Sequence, residues 1–441
     1  MRLAVFGLGP VGLVTAACFA RWGHTVVGVD VDAERVRLLH EGHLPFHEPR
    51  LPDLVAEGVD AGRLTFATDA DTALVDVEAA FLCVGTPSGP DGAPNLTYVE
   101  AAGHAAARHA PGDLLLVEKS TVPAATAERL ERTVALELRA AGRDDIRVEV
   151  ASNPEFLREG AAVADSLRPD RIVLGAASDW ALDVLREVYA PVIEATDCPV
   201  IETDRATAEL IKHASNAFLA TRLSFINAVS RVCDAVGADV RTVADGMGHD
   251  HRIGRAFLDA GLGYGGSCFP KDVDAFADLA RKVGEPFPLL ESVRDVNHGQ
   301  RQRALQRLRD ELWHLDGKRV ALLGAAFKPG TDDLREAPAV WLAQRLLDEG
   351  AQVHVYDPVA IPAVKAALPA VAAFEDPLAA CEDAHAAVVC TEWPEIVELA
   401  PEELAARLAW PVVYDGRNVL DPDAMTAAGL RYLGVGRRPR G

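Results

Sequence analysis

The first thirty residues constrain the fold more tightly than any later stretch. An apolar run over 3–6 leads directly into Gly7-x-Gly9-x-x-Gly12, a helical pattern opens on these glycines, and Asp30 closes the next β-branched run. Each glycine answers a different demand. Gly7 permits a tight turn, Gly9 lets the backbone approach a pyrophosphate, and Gly12 lets the helix pack against the strand, while the helix N-terminus attracts phosphate. A glycine-rich turn in another doubly wound fold gives the same string. The strand before it and the acid after it tie it to a dinucleotide. Val11 completes the turn. Asp30 accepts hydrogen bonds from ribose hydroxyls and repels a 2′-phosphate, which favours NAD over NADP. Arg35 either softens that preference or lies on a solvated helix face.

The pattern that begins here repeats. Short apolar runs over 3–6, 25–29, 79–84, 114–118, 148–151 and 171–174 alternate with helical stretches, and the alternation returns over 319–324, 352–356, 386–390 and 412–414. Strands alternating with helices predict parallel sheets. Between the two blocks, residues 203–236 keep a helical period with apolar positions from Leu210 to Val229, a scaffold helix expected to be buried on more than one side. The expected fold is α/β, two doubly wound Rossmann-like lobes joined by a long central helix and a helical domain. The expected boundaries are 1–202 for the NAD-binding domain, 203–300 for the central helical and dimerisation domain, and 301–441 for a second Rossmann-like domain that binds the substrate nucleotide.

Charge excludes several functions. A net charge of −22 over 441 residues argues against a general affinity for nucleic acid or anionic membrane. No run approaches the ~18 apolar residues of a membrane span, and the N-terminus does not read as a leader, so the expected location is cytoplasmic. The seven cysteines are scattered and never form C-x-x-C, and the thirteen histidines lack ligand spacing, so neither disulfides nor a metal site is expected.

Cys268 lies in Gly265-Gly266-Ser267-Cys268-Phe269-Pro270-Lys271-Asp272, a thiol in a small-residue turn with a cation and a carboxylate behind it. A nearby ammonium or helix N-terminus favours the nucleophilic thiolate. Buried structural packing is the competing reading, and these residues alone leave both open. Elsewhere, Glu155 and Glu159 are four residues apart and share a face if their segment is helical. One can activate water and the other hold a cofactor or substrate hydroxyl, or both can sit at an exposed acidic helix start beside Arg158. Lys212 and Asn216 share a face of the long helix and make a donor pair for an oxyanion, or a solvated surface pair. Gly85 and Thr86 follow one expected strand and Thr121 another, where doubly wound sheets carry ligand loops. Lys328 and Arg335 follow the first strand of the last lobe, and Arg417 its last, with donors suited to phosphates and hydroxyls.

Together these segments resemble the UDP-glucose/GDP-mannose dehydrogenase family of NAD-dependent nucleotide-sugar 6-dehydrogenases. The likeness runs nearly end to end: the Gly7 fingerprint, Val84-Gly85-Thr86-Pro87, Ser120-Thr121-Val122-Pro123, Asn153 through Gly160, Glu209-Leu210-Ile211-Lys212 with Asn216, Arg252-Ile253-Gly254, Gly261 through Asp272, Phe327 through Thr331, and Asp415-Gly416-Arg417-Asn418. The resemblance implies a four-electron oxidation of the sugar C6 alcohol to a carboxylate with two NAD used in succession, nearest the UDP-glucose branch. The same chemistry on GDP-mannose or a UDP-N-acetylhexosamine, and a non-catalytic nucleotide-sugar or NAD binder, are the alternatives.

By the same resemblance Cys268 is the nucleophile, and Lys212 with Asn216 stabilises oxyanions. Asp272 and Thr121 organise water, and Glu155 is the acid/base of hydrolysis. Glu159, Lys271 and Arg335 touch NAD. Phe156, Leu157, Phe257, Gly265, Lys328 and Arg417 line the sugar and uridine, and Arg252 reaches the UDP-sugar from the partner in a homodimer built on the long helix. Two departures stand out from the family pattern. Pro10 replaces an aromatic after Gly9, and Pro123 is followed by Ala124-Ala125-Thr126 where a Gly-Thr is usual.

Overall fold

The structure, a computed structural model, describes residues 1–87, 89 and 93–439. The chain divides into two compact units, Met1–Ser215 with Asp274–Val283 and Asn216–Val273 with Gly284–Gly441.

The first unit is built on strands β1 (Arg2–Phe6), β2 (Thr25–Val29), β3 (Leu64–Ala67), β4 (Ala79–Leu82), β5 (Leu114–Glu118), β6 (Val148–Ser152), β7 (Ile172–Gly175) and β8 (Val200–Thr203), in the sheet order β3-β2-β1-β4-β5-β6-β7-β8. The pairings are parallel except where β6 meets β7, which join antiparallel through Ser152 and Gly175, a departure from the expected all-parallel sheet. Residues of β1 point alternately to two cores. Leu3 and Val5 pack with Phe19, Phe81 and Val117 on one face, and Ala4 and Phe6 with Leu82, Leu116 and Val134 on the other. A sheet covered on both faces favours apolar strands: β4 is apolar throughout and β5 is apolar up to Glu118 at its end, and both are fully buried.

The second unit repeats the plan with β9 (Arg319–Leu323), β10 (Gln352–Tyr356), β11 (Ala372–Phe374), β12 (Ala386–Val389), β13 (Val412–Asp415) and β14 (Arg431–Gly434), ordered β11-β10-β9-β12-β13-β14 and parallel throughout. Both sheets reverse direction beside their first strand, at β1/β4 and at β9/β12. Doubly wound folds bind ligands at that point, beyond the carboxyl ends of the strands.

The long helix Arg205–Val236 runs through both units. Its expected burial on several sides does not hold. Phe218, Phe225, Val232 and Val236 are 51–71% exposed, and Leu210 is exposed as well. Much of what the helix buries is polar: Glu209, Lys212, His213, Asn216, Ser224, Asn227 and Ser230.

Candidate active site

In the first unit the Gly7 turn leaves β1 and meets the strand-end loop of β4. Gly7 adopts φ +91°, and a Cβ there would stand 2.7 Å from the Cys83 carbonyl oxygen; at Gly12 it would stand 1.7 Å from the Gly7 oxygen. Above Gly9 a Cβ would meet nothing within 4 Å, leaving the open approach that a pyrophosphate requires. The helix Pro10–Arg21 starts immediately, with Pro10 in its first turn and Val11 beside it. Proline suits that position because its missing N–H is unpaired there in any case, so the departure at residue 10 does not disturb the turn.

Asp30 is buried and accepts from Leu8 N at 2.8 Å, Asp32 N at 3.0 Å and Arg35 Nη1 at 2.8 Å. Arg35 is thus neither on a solvated face nor independent of Asp30. The Asp30 Oδ1 takes one of these three bonds and keeps capacity for a ribose hydroxyl. The second unit shows the contrast. Gly324 follows β9 with φ +93°, and its N–H donates to the last carbonyl of β10, as Gly7 does to β2. The counterpart of Asp30 is Asp357, whose oxygens already accept from the N–H groups of Ala325, Ala326, Val359 and Ala360 and from the Trp393 indole. With five donors on two oxygens, Asp357 has no capacity left for a ribose, so only the first lobe fits a dinucleotide.

Gly85 is exposed at the end of β4, and Thr86 Oγ1 donates to the Thr121 carbonyl at 3.0 Å. The segment after β6 is irregular, not helical, and Asn153 at its start is pinned by Lys119, Tyr189 and the Val173 carbonyl. The expected shared helical face of Glu155 and Glu159 is therefore absent. Glu155 instead turns inward, accepting from Leu157 N at 2.6 Å and from Lys212 Nζ at 2.9 Å, with both side chains buried. Glu159 is half-buried. Phe156 lies between two cations, Arg171 at 3.7 Å and Lys212 at 5.4 Å from its ring centre. Arg171 has no expected role in the sequence; Phe156 and its cations show one only in three dimensions.

In the second unit, Cys268 stands at the start of the helix Phe269–Lys282, and its carbonyl accepts the first-turn N–H of Asp272 at 2.8 Å. Its thiol is half-buried and 3.6 Å from Ser267 Oγ, whereas the other six cysteines are buried. A thiol at a helix N-terminus is biased toward thiolate. Asp272 is fully buried, held by Lys271 Nζ at 2.7 Å and Asn216 Nδ2 at 2.6 Å. Lys212 and Asn216 stand one turn apart on the unbroken long helix.

The turn before Cys268 needs its glycines. A Cβ on Gly265 would lie 2.3 Å from the Glu336 oxygen, and Gly266, at φ +82°, packs under the Phe327 ring. Phe257 stacks near Phe269 at 6.1 Å. Arg417 reaches the sheet reversal point, donating to the Cys390 carbonyl beyond β12 at 2.6 Å and the Phe327 carbonyl beyond β9 at 2.8 Å. Lys328 follows Phe327 in the chain and its Nζ lies 5.4 Å from the centre of that ring, while Arg335 is exposed on Asp333 and Arg252 is exposed on Asp250.

Three family models cover most of the chain. Residues 1–193 match the NAD binding domain of the UDP-glucose/GDP-mannose dehydrogenase family, 206–299 its central domain and 321–422 its UDP binding domain. The chain is 42% identical over 437 residues to UDP-glucose 6-dehydrogenase TuaD of Bacillus subtilis, covering 99% of this chain and 93% of that one. A solved UDP-glucose dehydrogenase from the archaeon Pyrobaculum islandicum superposes with a TM-score of 0.90 at 40% identity, covering 99% and 97% of the two chains. A UDP-D-ManNAc dehydrogenase from Pyrococcus horikoshii gives 0.87 at 26% identity, with 99% of each chain covered. Among the described residues no helix is long and apolar enough to cross a membrane. The chain belongs to the UDP-glucose/GDP-mannose dehydrogenase family and binds NAD in its first lobe.

Proposed function

We propose that the protein is an NAD-dependent UDP-glucose 6-dehydrogenase, oxidising UDP-glucose to UDP-glucuronate through covalent intermediates on Cys268. The observation that carries the covalent route is one half-buried thiol at a helix N-terminus, in a chain whose other cysteines are buried. The choice of sugar rests on the identities: 42% and 40% to proteins named for UDP-glucose, against 26% to one named for UDP-D-ManNAc.

Each group has a task in this reading. The Gly7–Gly12 turn, Asp30, Arg35, Gly85 and Thr86 hold NAD, which when bound takes up a hydride in each oxidation. Glu159, Lys271 and Arg335 are its further contacts. Lys212, with Asn216, steadies negative charge on the sugar oxygen as its proton passes to water and the first hydride leaves C6, giving the aldehyde. The Cys268 sulfur then bonds to the aldehyde carbon as a thiohemiacetal, which keeps a reactive intermediate from escaping between the oxidations. Loss of the second hydride leaves a thioester. Water, oriented by Thr121 and Asp272 and deprotonated with the help of Glu155, adds to it, and the thiolate departs as the carboxylate forms. Phe156, Leu157, Phe257, Gly265, Lys328 and Arg417 bind the UDP-sugar.

The chain works as a homodimer in the cytoplasm, with Arg252 serving the partner's substrate. The exposed Phe218, Phe225 and Val232 support the dimer, because their seven-residue spacing forms a seam suited to a second helix. The domain limits are 1–202, 203–300 and 301–441, and the three matched spans lie inside them. A panel of nucleotide sugars compared by kcat/KM tests the substrate: UDP-glucose should lead, and preference for GDP-mannose or a UDP-N-acetylhexosamine would reassign it.

A further inference from the structure

The turn that carries Thr121 is fastened from three sides within the first unit. Glu209 Oε2 accepts from Ala125 N at 2.7 Å and its Oε1 from Ala127 N at 2.9 Å. His213, one turn further along the long helix, donates from Nε2 to the Val122 carbonyl at 2.7 Å. Thr86 is the third residue to hold it, donating to the carbonyl of Thr121 itself. Ala125 has φ +70°, a left-handed conformation that an L side chain resists, so the turn is held in place and would not adopt this shape unaided.

Glu209 is 3% exposed and also receives the Ser152 hydroxyl at 3.3 Å. A second carboxyl, Glu118 at the end of β5, is 1% exposed and has no hydrogen-bond partner on either oxygen. The Ser120 hydroxyl is directed at the Leu82 and Val84 carbonyls. Burial first, and the charge of Glu209 second, push the Glu118 carboxyl well above the usual range, against a smaller opposing pull from the Ser120 hydroxyl and N–H, which lie outside good hydrogen-bond geometry. Burial pushes Glu209 up to about 7, against the opposing pull of the Ala127 and Ala125 N–H groups, Ser152 and Arg205. Two such neighbours do not ionise together readily, so Glu118 keeps its proton while Glu209 titrates. The remaining charges around Glu209 are committed elsewhere: Arg205 to Glu131 of the helix Thr126–Ala140 and the Val150 carbonyl, and Lys212 to Glu155.

We propose that Glu209 is a positioning residue for the oxidation: its ionised carboxylate, holding two backbone N–H groups at once, sets the turn that presents Thr121, and protonation loosens that turn. A neutral carboxyl keeps one good acceptor, so one of the two N–H groups loses its partner and the strained Ala125 turn relaxes. The inference rests on the reading of Thr121 given above.

The linkage has an unusual sign. The folded-state value of Glu209 lies above the 4.5 of a free glutamate, so its stabilisation is complete below that value and is lost as pH rises through about 7. Turnover moves the opposite way, rising as Glu209 ionises.

The test is the pH profile of kcat for wild type, Glu209→Gln and Glu118→Gln on UDP-glucose, with hydrogen exchange at Ala125 and Ala127 measured in wild type over the same range. Glutamine fixes the neutral pattern at 209. It should remove the limb near neutrality and lower kcat at about pH 8 by roughly tenfold or more, with KM for UDP-glucose within about twofold. Glu118→Gln should keep the limb, since Glu118 is already neutral. Exchange at the two amides, corrected for its intrinsic pH dependence, should show protection that grows through neutrality. A limb that survives in Glu209→Gln, or protection that is flat with pH, overturns the inference. Wild type that forms no UDP-glucuronate sinks the functional reading instead, and the exchange measurement then still decides whether Glu209 holds the turn.

Discussion

Cys268 differs from the other cysteines in surroundings more than in sequence. Burial pushes the thiols of Cys18, Cys83, Cys381 and Cys390 up to about 12, so they are poor nucleophiles at neutral pH. Iodoacetamide at about pH 7 should therefore alkylate Cys268 first, with oxidation of UDP-glucose lost in step; peptide mapping that finds another cysteine modified at the same rate would contradict this. The Glu155–Lys212 pair yields a second residue-level expectation. Both side chains are buried, so removing one leaves the other charge uncompensated. Lys212→Ala should cost about 3–5 kcal/mol of unfolding free energy, and the double change Glu155→Gln/Lys212→Met less than either single change implies, as read by denaturant titration. At this scale the sequence shows chemistry only where spacing is local. Cys268 with Asp272 and Lys212 with Asn216 are readable as neighbours. Glu209 clamps residues more than eighty positions earlier, and Arg171 stacks on Phe156 across two strands, so neither role has a local signature.

Among the elements, the ten interior strands are visible in the sequence, while β3, β8, β11 and β14 are not. Those four are the edges of the two sheets. Interior parallel strands are covered on both faces and read as continuous apolar runs, but an edge is short and partly solvated, as in the half-exposed pattern of β8. The segment holding Glu155 illustrates the opposite error, since spacing alone suggests a helix and the backbone there is irregular, with Glu155 turned back onto the Leu157 N–H. The glycine turn gives an element-level test. Gly12→Ala would drive a Cβ to 1.7 Å from the Gly7 oxygen, so the helix must move off the strand and NAD binding should be lost in calorimetry, whereas Gly112→Ala, where an added Cβ meets nothing within 4 Å, should bind normally. At Ala125 the reverse change is favourable: Ala125→Gly relieves left-handed strain and should raise stability by about 1 kcal/mol in thermal unfolding.

For the whole molecule, two copies of one topology have diverged in what their buried acids do. Asp30 retains capacity for a ribose and Asp357 has none, so one lobe fits NAD and the other is free to serve a different nucleotide. The exposed seam of Phe218, Phe225 and Val232 bears on assembly. Phe218→Asp with Phe225→Asp should shift sedimentation to monomer, since each buried aromatic is worth about 1.5–3 kcal/mol; an unchanged dimer would move the interface elsewhere. The central claim is that one thiol holds the sugar between two oxidations, and the most direct measurement counts NADH against UDP-glucuronate in the presence of an aldehyde trap. The account predicts two NADH for each acid formed, with no trapped aldehyde. One NADH per sugar with the aldehyde recovered in the trap would contradict it.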